Sequence, residues 1–545
     1  MRPGVGIEAV EVGVARRWRR WTLGLCAVAL VSLSAASAAH AADRIYWSNF
    51  ENDTIAWTNL DGSGGGGTVN TGDAMVDGPM GLTIDPAHGR IYWANWASHM
   101  GMTISYANLD GSGGGDLQIS GDVIHGPHGL AIDPTDGPYG TLYWPNHDME
   151  GEMASSISRV RLNDTGTGGV GQDLPIADAT LDEPRGMMID PETGRIYWAN
   201  FAAGFGMSIS YANLDGSGGA NLIDDIGAFP EAPEPPDEPR GPEGTAIDPA
   251  TGKIYWSDFG QRHLIQYANA NGTGISALNT DGAGAHGVHG VAIDPQTNRI
   301  YWANWYSNGI GWANLDGSGG GDLKLDAPAT MVNRPNLPSI LKQPAATAPP
   351  TVSGGSEPGA KLTCSPGTWA GDVIESLMYR APQGDSSYRW TRDGANLPGS
   401  SGTSITATVE GKYRCLMTAG NAAGSTTQAS AAHVVKATPP PPPSNEFTFG
   451  KIKRNRTHGT AKVAVELPGP GVVKISGSHL QRFSKHPAAP GEASLKVKPR
   501  GKVKRTLLRR GKATVRPRVT FTPTGGDANT LSERVELIEK RKIKR

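Results

Sequence analysis

From residue 42 to 341 the chain alternates short apolar runs with clusters of Gly, Pro, Asn and Asp, and no run is long enough for a helix. The alternation is periodic. An Ile-Tyr-Trp run or a close variant recurs with its tyrosine at Tyr46, Tyr92, Tyr143, Tyr197, Tyr255 and Tyr301, spaced by 46, 51, 54, 58 and 46 residues. Five of the six are preceded by Gly-x-x-Ile-Asp-Pro, with Asp85, Asp133, Asp190, Asp248 and Asp294. Most are followed by Ala-Asn-Leu-Asp-Gly-Ser-Gly or a variant, as at Asp61, Asp110, Asp215 and Asp316. Each period therefore predicts four short strands: the run into Ile-Asp-Pro, the Tyr-Trp run, the run into Asn-Leu, and a short stretch after the glycines. Asp-Gly between two such runs signals a hairpin, because its second position tolerates positive φ.

A four-stranded sheet of this size cannot bury both faces alone, so the copies must stack, and radial stacking gives a propeller. Six copies lie within the four to eight blades that close such a ring. The first copy lacks a preceding Ile-Asp-Pro strand. Met331-Val332-Asn333-Arg334-Pro335 aligns with Met75-Val76-Asp77-Gly78-Pro79, which predicts that residues 337–341 complete the first blade, with Pro338 on a free inner edge.

These repeats resemble the YWTD repeats of the low-density lipoprotein receptor, which form six-bladed propellers, and the resemblance covers residues 42–341. The fourth motif position, Asp in that family, is Asn at Asn49, Asn95, Asn146, Asn200 and Asn304, and Asp at Asp258. An amide oxygen still accepts a backbone N–H. The family's propellers are structural and protein-binding modules, and the resemblance implies the same role here.

Within this frame two copies carry a local variation, His125-Gly-Pro-His128-Gly and His286-Gly-Val-His289-Gly. Three repeats apart in a six-fold ring means opposite each other. The residue just before the inner-strand glycine is Met80, Arg185 and Glu243 in other copies. Variable residues on a repeated scaffold mark a recognition surface around a channel mouth, whereas the plainer reading makes them polar loop residues beside solvent. The expected function is binding of an extracellular protein or glycan. The alternative is a lyase or hydrolase using His125, His128, His286 and His289 as acid/base groups. The recurrent aspartates read as turn caps rather than catalytic pairs. Asp110 with Asp116, and Asp316 with Asp322, lack the alternating ligands of a calcium loop. Trp96 and Trp305 read as blade core, and the acidic, proline-rich insert over 229–242 as an exposed loop. The Gly166–Gly171 match to GxGxxG is followed by Pro175 and turns rather than a helix, and HExxH, GxSxG and Walker patterns are absent from the sequence. No catalytic residue, metal or cofactor is predicted.

Downstream, Cys364, Trp390 and Cys415 stand in Cys…Trp…Cys order, with Tyr413 two residues before the second cysteine. Residues 342–438 thus resemble an immunoglobulin-like module, with a disulfide between Cys364 and Cys415. A proline-rich linker follows over 439–445. Residues 446–545 read as a small basic β domain, from runs such as Val472-Val473-Lys474-Ile475 and Ala513-Thr514-Val515-Arg516. The expected fold class is all-β.

Charge sharpens this division. The formal net charge of −2 hides 12 basic and 37 acidic side chains over residues 42–341, against 25 and 7 over 446–545. The basic segment has no recognisable nucleic-acid motif and few aromatics for stacking. Its expected counterpart is an anionic cell-envelope polymer or the acidic propeller itself, not a nucleic acid. Arg16, Arg17, Arg19 and Arg20 precede an apolar run over residues 23–33, and Ala39-His40-Ala41 offers a cleavage site, so residues 1–41 read as a signal peptide of either the general or the twin-arginine route. No later stretch approaches the ~18 apolar residues of a membrane-spanning helix. The expected location is secreted or at the cell surface.

Overall fold

The computed structural model describes residues 42–540 except 64, 97–101, 148–153, 202–206, 225, 227–240, 260–263 and 326–331. The signal-like first 41 residues, Met331 and residues 229–240 of the insert lie outside the described residues. The chain divides after Val435 into two compact units.

In the first unit each repeat forms its own antiparallel sheet. The Tyr-Trp strands are Arg44–Asn49, Arg90–Asn95, Thr141–Asn146, Arg195–Asn200, Lys253–Phe259 and Arg299–Asn304. Each pairs on one side with an inner strand. In sheets two to six these are Pro79–Asp85, Ala131–Asp133, Pro184–Asp190, Gly241–Asp248 and Val288–Asp294. The first sheet takes its inner strand from the far end of the repeat region. Pro335–Leu341 pairs antiparallel with Arg44–Asn49, Leu341 opposite Arg44, and also lies against the inner strands Pro79–Asp85 and Val288–Asp294. The cycle of inner strands is therefore closed. Pro338 sits where the register shifts between Tyr46 and Ser48, so its missing N–H costs no ladder bond.

The tryptophans Trp47, Trp93, Trp144, Trp198, Trp256 and Trp302 are almost wholly buried. The asparagine two residues on serves as a two-way fastener. Asn95 Oδ1 accepts from Trp93 Nε1 (3.2 Å) and from the Asp77 N–H (3.0 Å), while its Nδ2 donates to Ser105 Oγ (2.8 Å). Asn146 and Asn200 likewise accept a loop N–H and donate to Ser158 and Ser210, and Asn200 also accepts from Trp198 Nε1, whereas Trp144 Nε1 donates to Val123 O. A carboxylate has no N–H for the serine, which explains the amide here. In the sheet of Asp258, Gln266 replaces that serine and takes the Trp256 Nε1 bond (2.8 Å).

Close packing of the inner strands explains their glycines. A Cβ on Gly81 would fall 2.6 Å from the Gly129 Cα, and one on Gly244 would fall 2.5 Å from the Gly290 Cα. The sixth equivalent residue is Leu337, whose Cδ2 reaches the space left by Gly186, Gly244 and Gly290. One leucine on the axis thus divides the ring into a glycine end, where the inner strands begin, and an aspartate end, where they finish.

Two sheets carry a fifth strand beyond the four expected. Gln118–Ser120 adds parallel to Gly168–Asp173, and Met378–Tyr379, from downstream of the repeats, adds parallel to Pro335–Leu341. Residues 342–435 otherwise form two main sheets. Thr351–Gly354, Ala360–Ser365 and Ser404–Ala407 make one, and Ser387–Arg392, Gly411–Asn421 and Gly424–Ala429 lie in the other. The Cys364–Cys415 disulfide joins them beside the buried Trp390, and the Tyr413 hydroxyl donates to Val409 O (2.7 Å).

The second unit packs the sheet Thr448–Asn455, Thr460–Leu467 and Gly491–Val497 and the sheet built on Gly471–Ser476 and Arg518–Pro523 around Phe447, Val463, Leu495 and Phe521. It departs from the β expectation at Gly501–Arg510, an α-helix. Val503 and Leu507, one turn apart, face the core. Gly511 closes the helix in the left-handed region, its N–H donating to Leu507 O, while Arg509 and Arg510 complement the helix dipole.

Candidate functional site

At the glycine end the residue before each inner-strand glycine faces the axis, because the ladder bulges there. The register shifts between Pro79 and Leu82, Pro184 and Met187, Pro242 and Thr245, and His289 and Val291, and a bulge re-aims a side chain. The ring contains Met80, His128, Arg185, Glu243, His289 and Asn336. Arg185 is ion-paired with Glu243. Glu243 also spans the two histidines: its Oε2 lies 3.9 Å from His128 Nε2 and its Oε1 3.8 Å from His289 Nε2, too far for hydrogen bonds. His289 Nδ1 donates to Asn336 Oδ1 (2.5 Å), and Asn336 Nδ2 points at Met80 Sδ (2.7 Å).

Burial fixes the protonation state. His128 is 1% exposed and Glu243 0%. Burial, reinforced by the charges of Arg185, His289 and His147, holds the His128 pKa well below the imidazole range. Burial also lowers that of His289, against the opposing pull of Glu243. Both rings are neutral at pH 7. Among the described residues, both nitrogens of His128, Arg185 Nε, Glu243 Oε2 and Thr245 Oγ1 are buried with no hydrogen-bond partner. Leaving such a group unsatisfied costs roughly 1–3 kcal/mol.

Around this ring stands a second one, formed by the residue that follows the fourth motif position: Phe50, Trp96, His147, Phe201, Phe259 and Trp305. Their backbone N–H groups bond to the loops before the inner strands, as Trp305 N to Gly287 O (2.8 Å) and His147 N to Gly126 O (3.0 Å). Phe50 touches both Trp96 (6.0 Å between ring centres) and Trp305 (5.2 Å). Trp305 stacks on His289 (4.7 Å), and the Arg185 guanidinium lies 3.3 Å from the Phe201 ring centre. Phe50, Trp96 and Trp305 are half-buried, while Tyr306 beside them is 53% exposed. An aromatic collar thus surrounds a polar floor.

The aspartate end is built differently. Residues 373–379, from the segment after the repeats, occupy it. Ser376 Oγ donates to Ile247 O (2.7 Å), Tyr379 OH and Thr83 Oγ1 share a bond (2.8 Å), and the N–H groups of Ile340 and Lys342 donate to Leu377 O and Tyr379 O. Ile374, Leu377, Met378 and Tyr379 are buried within the repeat core. The insertion also carries carboxyls toward the acidic turns. Burial raises the pKa of Asp372, with Asp85 adding to the effect, and burial with Asp190 and Glu192 raises that of Glu375.

Of the residues singled out from the sequence, His128, His289, Arg185, Glu243 and Met80 converge on the axis, whereas His125 and His286 stand outside that cluster. The His125 and His286 N–H groups donate to the motif asparagines Asn146 and Asn304, and the His125 ring bonds to Asp122 O. Trp96 and Trp305 lie in the collar rather than the blade core. Sequence reasoning missed Asn336, although the alignment of residues 331–335 with 75–79 places it beside Met80. It also missed the collar, whose signal is the residue after each four-residue motif. The recurrent aspartates cap turns: Asp133, Asp190 and Asp294 accept the N–H two residues on, as do Asp61, Asp110, Asp215 and Asp316. Asp116 and Asp322 bond to the Met75 and Gly284 N–H groups of neighbouring loops. Among the described residues no group of three or more His, Cys, Asp or Glu is arranged to hold a metal, and no helix is long and apolar enough to cross a membrane.

No family model matches the chain. It is similar to Protein cueball of Drosophila willistoni (26% identity over 178 residues, 33% of this chain and 23% of that protein). It is also similar to Vitellogenin receptor Yl of Drosophila melanogaster (28% over 223 residues, 40% and 9%). The matches span about a quarter or less of these relatives. Among solved structures it is similar to a chain of the nidogen/laminin complex (18% identity, TM-score 0.40, covering 55% of this chain and 98% of that one). A periplasmic gluconolactonase of Pseudomonas aeruginosa is similar at 10% identity and TM-score 0.38, with the same coverage. Likeness at those scores carries no functional implication. The sequence similarity, with the closed cycle of sheets, supports a β-propeller of the low-density-lipoprotein-receptor type.

Proposed function

We propose that this protein is exported and binds an extracellular protein ligand at the glycine end of a six-bladed propeller, with residues 342–438 an immunoglobulin-like module and residues 446–545 a basic domain that meets an anionic cell-envelope polymer. The observation that carries the reading is the asymmetry of the axis. One end is filled by the chain's own residues 373–379, with their polar groups paired. The other has an aromatic collar over buried polar atoms that have no partner among the described residues. Half-exposed aromatics over a polar floor are the composition of binding hot spots. A terminal glycan residue stacked on Trp96 or Trp305 is the other outcome of the test. The lyase or hydrolase reading requires four histidines to share a substrate, and only His128 and His289 share the axis.

The test is affinity capture by the mature full chain, secreted by its own host, against Trp96→Ala/Trp305→Ala as the altered bait. The reading expects a saturable partner that the altered chain fails to retain while its Tm moves by a few degrees at most. Identical capture by both chains would refute it, and enzymatic removal of glycans from the partner distinguishes glycan from protein recognition.

A further inference from the structure

The second unit carries a groove of about 650 Å³ on the face of the sheet Thr448–Asn455, Thr460–Leu467 and Gly491–Val497, lined by Lys453, Arg454, His458, Lys462, Lys496 and Lys498 among others. Its cations are aligned rather than scattered. Lys453 stands directly opposite Lys462, and Lys462 directly opposite Lys496, so three exposed ammonium groups cross three adjacent strands at the inter-strand spacing of about 4.8 Å. Like charges in directly opposed positions destabilise a sheet. Among the described residues of this unit no ion pair with a carboxylate relieves them. The arrangement is costly in the free protein and is relieved by a ligand that brings a row of negative charges.

We propose that this groove binds a linear, phosphate-bearing polyanion that carries no bases, laid across the strands along the Lys453, Lys462 and Lys496 row and continuing to Lys498. The proposal rests on the reading that the basic domain meets an anionic polymer, and it narrows that reading to one face and one chemistry. The cations are the evidence for the chemistry. Lysine ammoniums are compact point charges that bind phosphate oxygens without the bidentate match for which arginine is used on carboxylates and phosphates alike. The one arginine lining the groove has its Nε engaged with Glu536 O (3.0 Å). No Phe, Tyr or Trp lines the groove, so bases have no platform on which to stack.

The experiment titrates inorganic polyphosphate into the full chain at several salt concentrations and compares two variants of equal charge change. One is Lys453→Gln/Lys462→Gln/Lys496→Gln in the groove, the other Lys502→Gln/Lys504→Gln/Arg505→Gln on the neighbouring helix. The groove variant should bind roughly 10- to 100-fold more weakly, with a salt slope shallower by about two. The helix variant should lose less than about threefold. Without polyphosphate the groove variant should melt higher than the parent, because its like-charge row is gone. If the groove variant binds as tightly as the helix variant, or more tightly, the groove proposal is overturned and retention by diffuse basic charge survives. Binding that ignores salt in every chain removes both readings. Tighter binding of dextran sulfate than polyphosphate at matched charge refutes the phosphate assignment. Tighter binding of an oligonucleotide at matched phosphate identifies a nucleic-acid groove instead and likewise overturns it.

Discussion

The two ends of the repeat axis are made by the same six inner strands and have opposite physical character. At the aspartate end, the Ser376 and Tyr379 hydroxyls and the Leu377 and Tyr379 carbonyls find partners on the inner strands or at Lys342 just after the last of them, and apolar side chains fill the remaining space. At the glycine end the ring of variable residues leaves polar atoms of His128, Arg185, Glu243 and Thr245 buried and, among the described residues, unmatched. Leu337 separates the two. The difference teaches that one end was solved as a core and the other was not, and a site that sacrifices stability in this way is where function is expected.

The largest expected effect falls on the sealed end. Tyr379→Ala removes a buried aromatic and leaves Thr83 Oγ1 alone, and urea unfolding of the first unit should show a loss of about 3–5 kcal/mol. At the glycine end Glu243→Met leaves the Arg185 guanidinium only its longer contact with Glu183 (3.6 Å) and should cost somewhat less, about 3 kcal/mol. Replacing the pair together, Arg185→Met/Glu243→Met, should return stability to the parent value or raise it by about 1–4 kcal/mol, while partner retention is lost. Calorimetry and capture on the same preparations test both halves. No comparable gain exists at the sealed end, where Ser376→Ala should lower stability by about 1 kcal/mol by leaving Ile247 O unmatched.

The smallest effects are those of pH, and they run in opposite directions at the two ends. His128 and His289 hold protons less tightly in the folded chain than in the unfolded one. Their contribution is full above the ordinary imidazole pKa, about 6.5, and is lost as pH falls below it. Asp372 and Glu375 hold protons more tightly when folded. Their contribution is full below the ordinary carboxyl range and declines as pH rises through the raised values. Thermal melts from pH 4 to 8 should therefore lose acid sensitivity in His128→Gln. Asp372→Asn keeps an oxygen for the Arg380 and Ala381 N–H groups and should gain stability near pH 7 but not near pH 4.

The repeated frame was legible because it is written in period: Ile-Tyr-Trp and Ile-Asp-Pro recur with spacings that only strands satisfy, and the 331–335 alignment foretold the strand that completes the first sheet. The axial ring was legible for the converse reason, since Met80, Arg185 and Glu243 vary within a constant setting. Residues 373–379 gave no signal, because two strand residues and a single 3-10 turn have no periodicity and their partners lie far away in sequence. The collar was hidden among the aromatics of the motif itself, and burial cannot be read from Trp96 or Trp305 alone. The helix Gly501–Arg510 was masked by its cations, which leave only Val503 and Leu507 to mark the inward face.

The most direct measurement is amide hydrogen exchange on the full chain with and without the captured partner. The account predicts new protection at Phe50, Trp96, Phe201 and Trp305 and in the loops before the inner strands, with residues 373–379 and Thr83 equally protected in both states. Protection confined to the aspartate end or to the outer Asp-Gly turns, with the collar unchanged, would contradict it.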